Sequence, residues 1–238
     1  MITKHTDDFS LLDFSEGETL LIDKPPQWTS FKVVYKIKKA INIRRVGHTG
    51  TLDPLATGLL IILTGKSTKK MLEFQNLDKT YEGIITLGKT SPSMDTETEI
   101  TENDVPEDLT EEKILSVRDR FLGEIVQVPP MYSALKVKGQ KLYHLARKGK
   151  VVKREPRRVY ISKFEIKKID LPDIHFEIRC SKGTYIRVIA NDFGEKLGCG
   201  AVLSSLRRTE IGDYNVNDAL RVKELIQKVG SMPQLEKK

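Results

Sequence analysis

The segment Gly47-His48-Thr49-Gly50-Thr51-Leu52-Asp53-Pro54-Leu55-Ala56-Thr57-Gly58 runs straight into the apolar stretch Leu59 to Leu63, and its reading decides the fold. Continuous apolar residues over that length describe a strand covered on both faces. The glycines before it permit sharp bends or close backbone approach, and Pro54 biases Asp53 toward extended backbone. One carboxylate therefore stands at the mouth of a buried strand. Two roles suit it: a turn aspartate bonding nearby amides, or a carboxylate presented to a ligand.

Working outward, Thr19 to Asp23 reads as a short strand ending at Lys24-Pro25-Pro26. Ser30 then has the position of an N-cap for a helix with Phe31, Val34, Ile37 and Ile41 on one face. A short amphipathic helix is expected over Ser67 to Phe74, and Thr80 to Leu87 alternates as a sheet strand with Tyr81 near its start. Glu111 to Phe121 reads as a helix, with Asp108 and Glu111 at capping-box spacing. Gly123 to Val128 and Tyr132 to Val137 are strand-like around Pro129-Pro130, and Gln140 to Lys148 forms a short basic helix. Val159 to Ile169 and Ile174 to Cys180 pair as antiparallel strands. Ile186, Ile189, Ala190, Phe193 and Leu197 mark a helix with Arg187 in its first turn, off the stripe. Ala201 to Leu206 is a last strand and Asn217 to Lys228 a last helix. Strands and helices mix without regular βαβ alternation, so the fold class is α+β with a mixed, largely antiparallel sheet flanked by helices.

The chain has 238 residues, enough for one large domain, and a net charge of +7. The charge is unevenly placed. Ser91 to Glu112 contains nine acidic residues and no Lys or Arg, whereas Lys136 to Arg158 contains ten Lys or Arg against the single acid Glu155. The basic run, with Tyr132, Tyr143 and His144 interleaved, suits a phosphate surface with rings that stack on bases. The acidic run reads as a solvent-facing connection. Lys136, Lys138, Lys141, Arg147, Lys148, Lys150, Lys153 and Arg154 are the candidate backbone-binding residues. There is no signal peptide and no membrane-length apolar run, which gives a soluble, cytoplasmic expectation. Cys180 and Cys199 lack metal-site spacing and are expected to be reduced. Gly65-Lys66-Ser67 resembles the end of a phosphate-binding loop, but Leu60 stands where that loop needs its first glycine. No metal-ligand motif is present, so the expected complement is no metal and no cofactor.

Taken in order, the Gly47 to Leu60 run, Lys79-Thr80-Tyr81-Glu82-Gly83, Pro129 to Lys136, Cys180 to Arg187 and Leu206-Arg207-Arg208 resemble the bacterial TruB family of tRNA pseudouridine synthases. The likeness spans Gly17 to about Leu220. It implies a pseudouridine-synthase fold with a basic RNA-binding insertion, and isomerisation of the T-loop uridine at tRNA position 55. By the same resemblance Asp53 is the catalytic aspartate, Tyr81 packs on the target base, and Arg187 pairs with the aspartate to keep it ionised. Tyr185 and Leu206 line the pocket, and His48 holds the T-loop with its base extruded. Asp53 is then compatible with attack on the sugar, addition to the base, or removal of a sugar proton.

The domain expectation is an N-terminal extension over 1–16 with freedom to move, a catalytic domain over 17–229 that includes the basic segment 129–158, and a tail over 230–238. Many relatives carry a C-terminal PUA domain, and none is expected here. The expected partner is the tRNA T-arm stem-loop, bound by a monomer without a guide RNA. The competing reading is an RNA-binding or tRNA-folding module that acts without catalysis.

Overall fold

The computed structural model describes residues 1–137 and 139–230. In chain order the elements are β1 (Thr19–Lys24), α1 (Ser30–Ile41), β2 (Val46–His48), β3 (Thr57–Thr64), a 3-10 turn (Gly65–Lys70), α2 (Met71–Asn76), β4 (Lys79–Leu87), β5 (Lys89–Thr90), β6 (Thr101–Glu102) and α3 (Glu111–Asp119). They continue with β7 (Gly123–Gln127), β8 (Lys136–Val137), β9 (Gln140–Lys141), α4 (Leu142–Ala146), β10 (Arg157–Asp170), β11 (Asp173–Cys180) and α5 (Ile186–Leu197). The last are β12 (Ala201–Ile211), β13 (Tyr214–Asn215), β14 (Leu220–Arg221) and α6 (Val222–Gly230). Two compact units are formed: Met1–Tyr81 with Leu206–Lys238, and Glu82–Ser205.

In the first unit the strand order is β14-β1-β3-β12, with β2 also on β3 and β13 on β12. β1 runs antiparallel to β3 with Ile22 opposite Leu60, while β14 and β12 add in parallel. Because side chains alternate across a strand, β1 and β3 feed two cores. Leu20, Ile22, Leu60 and Ile62 face Val33, Val34, Ile37 and Ile41 of α1 and Val222 and Leu225 of α6. Leu21, Leu59, Ile61 and Leu63 face Phe74, Ile211, Val216 and Ala219. This is the covered strand that the apolar run calls for. The segment 1–16, expected to move freely, lies on the first of these cores through buried Ile2, Phe9 and Phe14, and Ile2 bridges Leu20. The expected tail, past Gly230, lies outside the described residues.

The second unit carries the order β4-β11-β10-β7, with β10 antiparallel to both β11 and β7. Phe121, Phe164, Phe176 and Phe193 form a chain of ring contacts on it, with centroids 5.9 to 6.2 Å apart. Gly194 lets α5 close on the start of β12, since a Cβ there would lie 2.1 Å from the Ala201 nitrogen.

The last helix starts at Val222 rather than Asn217, the strand expected over Tyr132 to Val137 is confined to Lys136–Val137, the basic helix to Leu142–Ala146, and three further differences have a visible hydrogen-bonding cause. Thr29, not Ser30, caps α1 by accepting from the Lys32 amide at 3.0 Å, because the Ser30 hydroxyl is turned inward. Thr110 rather than Asp108 caps α3. β12 runs on through Arg207 and Arg208 to Ile211, since both guanidinium groups find partners along the strand.

Candidate active site

The loop that carries Asp53 is tied down along its length by residues of the first unit. At its start, the Ser30 hydroxyl accepts from the Leu52 amide at 2.9 Å and donates to the Leu52 carbonyl at 3.2 Å. At its centre, the Lys24 ammonium donates to the carbonyls of Pro54 (3.2 Å), Pro25 (2.9 Å) and Trp28 (2.6 Å). An ammonium has three donors, so all are engaged. At its two ends, Arg208 donates from Nη2 to the Gly50 carbonyl (3.2 Å) and from Nε to the Leu59 carbonyl (2.7 Å). Thr57 opposes Arg207, which also holds Asp23 through two bonds of 3.0 and 2.9 Å. The Asp53 carbonyl accepts from the Ala56 amide, closing the turn.

The electrostatics follow from burial. Lys24 and Arg208 are 0% and 1% exposed. Burial pushes Lys24 down to about 8; Asp53 opposes that shift, Arg208 adds to it, and Asp23 opposes it. Lys24 therefore stays charged at neutral pH and shares its electrostatic neighbourhood with Asp53. His48, on β2 opposite Ile62, is held below the usual imidazole range by burial first and by Arg208 second. It is neutral at pH 7, and its buried Nδ1 has no hydrogen-bond partner among the described residues. Tyr81 is 8% exposed on β4, beside Thr80, whose hydroxyl bonds Glu210. Leu206 is half-buried on β12, and its carbonyl accepts from the Thr57 hydroxyl. Of the predicted residues, the first unit thus holds His48, Asp53, Tyr81 and Leu206.

The second unit holds Arg187 and Tyr185. Arg187 is buried, and its Nη1 lies 3.4 Å from Oδ2 of buried Asp95. The Asp95 Oδ1 accepts from the Ser93 hydroxyl (2.6 Å) and the Glu97 amide (2.9 Å). The acidic run therefore does not face solvent throughout, because one member turns inward to a guanidinium. Tyr185 precedes α5, and its amide and carbonyl are matched by the Gln127 side chain at 3.0 and 3.2 Å. Arg157 lies over its ring at 4.4 Å.

In the basic segment Lys136, Lys141, Arg147, Lys148, Lys150 and Lys153 are exposed, and Arg147 meets Glu97 at 3.1 Å. Lys141 and Arg147 flank the Tyr143 ring. Arg154 differs: its guanidinium donates to the carbonyls of Pro129 and Val152, which makes it a clasp of the segment. Lys138 lies outside the described residues. Sequence reasoning missed Lys24, Asp95, Gln127 and Arg208; the Leu206-Arg207-Arg208 run was the signal for the last. Among the described residues no group of three or more His, Cys, Asp or Glu is placed to hold a metal ion, and no helix is long and apolar enough to cross a membrane.

Residues 38–186 match the model of the TruB family pseudouridylate synthase N-terminal domain, and residues 187–235 that of the tRNA pseudouridylate synthase B C-terminal domain. Proteins named tRNA pseudouridine synthase B are similar over most of the chain. The one from Chlorobaculum tepidum is 50% identical over 90% of this chain and 91% of its own length. The one from Flavobacterium johnsoniae is 48% identical over 88% and 95%. Among solved structures, a Cbf5-Nop10-Gar1 complex matches at 29% identity and TM-score 0.69, covering 90% of this chain and 54% of that one. An H/ACA RNP bound to a substrate RNA containing 2′-deoxyuridine matches at 28% identity and TM-score 0.67. The chain thus spans about half the length of those two neighbours.

Proposed function

The chain belongs to the TruB family of pseudouridylate synthases, and from that premise we propose that it isomerises the T-loop uridine at position 55 of tRNA, with Asp53 as the catalytic carboxylate. The observation that carries this reading is the anchoring of the Asp53 loop by Ser30, Lys24 and Arg208. A carboxylate on a loop with this much buried hydrogen bonding is pre-positioned, which is what a reacting group requires.

The reaction breaks the bond from uracil N1 to the sugar, turns the ring, and joins C5 to the same carbon. The proton lost from C5 is balanced by one gained at N1, so the product is an isomer and neither electrons nor ATP are consumed. The base must leave its stack first, and an extruded base needs an aromatic platform and an apolar wall. We assign those roles to Tyr81 and Leu206. Tyr185 and Arg187 complete the substrate-binding set, and His48, neutral at pH 7, contacts the opened T-loop. The exposed lysines of 136–153 and Arg147 track the phosphate backbone. The working arrangement is a monomer acting on the T-arm without a guide RNA; tRNA as the substrate is supported by relatives, similar over about nine-tenths of the chain, that are named for it.

The deciding experiment incubates the protein with an unmodified tRNA transcript and maps pseudouridine by carbodiimide labelling and primer extension, beside Asp53→Asn. Modification confined to the T-loop and lost in Asp53→Asn is the expected result. Tight tRNA binding without modification would replace this reading with an RNA-folding module.

A further inference from the structure

Between Asp23 and Asp53 the sequence contains no acid, yet it carries Lys24, Lys32, Lys36, Lys38, Lys39, Arg44 and Arg45. Lys24 is buried; the others are exposed. None of those six forms a salt bridge among the described residues. The helix α1 buries Val33, Val34, Ile37 and Ile41, so its opposite side faces outward. On that side Phe31, which the sequence pattern set on the apolar face but whose place there is taken by Val33, is 74% exposed, and Tyr35, one turn on, is 54% exposed, with Lys38 continuing the row and Lys32, Lys36 and Lys39 beside it. A single exposed ring is ordinary. Two aligned rings on a helix whose charged residues are all cations suit nucleic acid, which offers phosphates to the lysines and base faces to the rings.

We propose that the outward face of α1 is a second RNA-binding surface, reading the phosphate backbone of the substrate through its lysines and stacking an unpaired base on Phe31 or Tyr35. The face begins one residue from Ser30, whose hydroxyl holds Leu52 in the Asp53 loop. The same helix thus carries the exposed face and, on its buried side, an anchor of the Asp53 loop. Charge argues against a second copy of the chain, since a self-complementary contact would set cations against cations. The inference rests on the tRNA reading above and extends it to a surface outside 129–158.

The test compares the full chain with Lys32→Gln/Lys36→Gln/Lys39→Gln, measuring affinity for an unmodified tRNA transcript across salt concentrations and pseudouridine formation at varied tRNA. The expected result is weaker binding, a salt slope lower by about 2–3, and a loss that falls on KM rather than kcat. Unchanged affinity and slope, with the wild type active, would overturn the surface and leave the enzyme reading standing. A wild type that binds tRNA but forms no pseudouridine, with binding weakened in the variant, would overturn the enzyme reading and leave the surface standing. A loss in kcat alone would also overturn the surface, because α1 would then act through the Ser30 anchor. As a second measurement, p-benzoylphenylalanine at position 31 or 35 is expected to cross-link to tRNA; a cross-link to another copy of the chain, or none, would overturn the proposal.

Discussion

Arg187 and Asp95 form an ion pair in which both side chains are almost sealed from solvent, with 3.4 Å between Nη1 and Oδ2. Asp95 is in turn held by Ser93 and by the Glu97 amide, so the carboxylate is a fixed counter-charge. Removing one partner of a buried pair costs about 3–5 kcal/mol, because the other charge stays buried. Asp95→Asn keeps the shape and an acceptor while deleting the charge. It is expected to lower unfolding free energy in urea by roughly 3 kcal/mol and to slow pseudouridine formation in single-turnover assays.

Ser30→Ala removes both bonds to Leu52 and leaves a buried amide without its acceptor. The expected loss is about 1–3 kcal/mol, with kcat for pseudouridine formation falling more than affinity for tRNA. Steady-state kinetics beside tRNA-binding measurements check the split. An equal loss in both would mean that the anchor supports the whole unit rather than the Asp53 loop.

Lys24 links stability to pH. The folded chain holds it at about 8, below its ordinary value of 10.5. The unfolded chain therefore binds more protons between those values, and the contribution of this group to stability rises with pH across that window. Lys24→Met removes the titration and leaves three carbonyls without their donor, at a cost of roughly 2–4 kcal/mol. Urea denaturation of wild type and variant at about pH 7 and about pH 9.5 is expected to show a wider stability gap at the higher pH. A gap that does not change would contradict the depressed value.

Gly58 sits at φ 101°, and a Cβ there would lie 2.2 Å from the Arg208 carbonyl. The left-handed backbone and the close approach of β12 both demand glycine. Gly58→Ala should destabilise by at least ~2 kcal/mol and part β3 from β12 at the end of the Asp53 loop. Hydrogen exchange would report this as faster exchange at Arg208 than at Ile22 or Leu60.

The sequence was most legible where backbone chemistry is local. Glycine spacing and Pro54 located the Asp53 loop, and the uninterrupted apolar run located β3 with both faces covered. Patterns built on charge were less informative. Asp95 sat in a run of acids whose shared sign gave no hint that one of them turns inward to meet Arg187. Arg154 sat in a run of cations, yet it spends its guanidinium on two backbone carbonyls. Lys24 and Arg208 are charged residues at positions where a hydropathy pattern expects a strand to end. They can be buried because carbonyls from distant segments satisfy them, and such long-range partners leave no periodic trace. The one-residue displacement of the α1 cap has the same origin, since Ser30 is committed to a loop 22 residues away.

The first unit is built from two separate stretches of chain, whereas the second is one continuous stretch. Synthesis from the N-terminus therefore delivers the whole of the second unit before the first can close. Until Arg208 has been added, the carbonyls of Gly50 and Leu59 lack its guanidinium, and until α6 has emerged, Ile2, Phe9 and Phe14 lack part of their cover. The Asp53 loop is made early and secured late. A nascent chain halted before Leu206 holds Asp53 without the strand that tethers its loop, so the order of that loop depends on residues made more than 150 positions later.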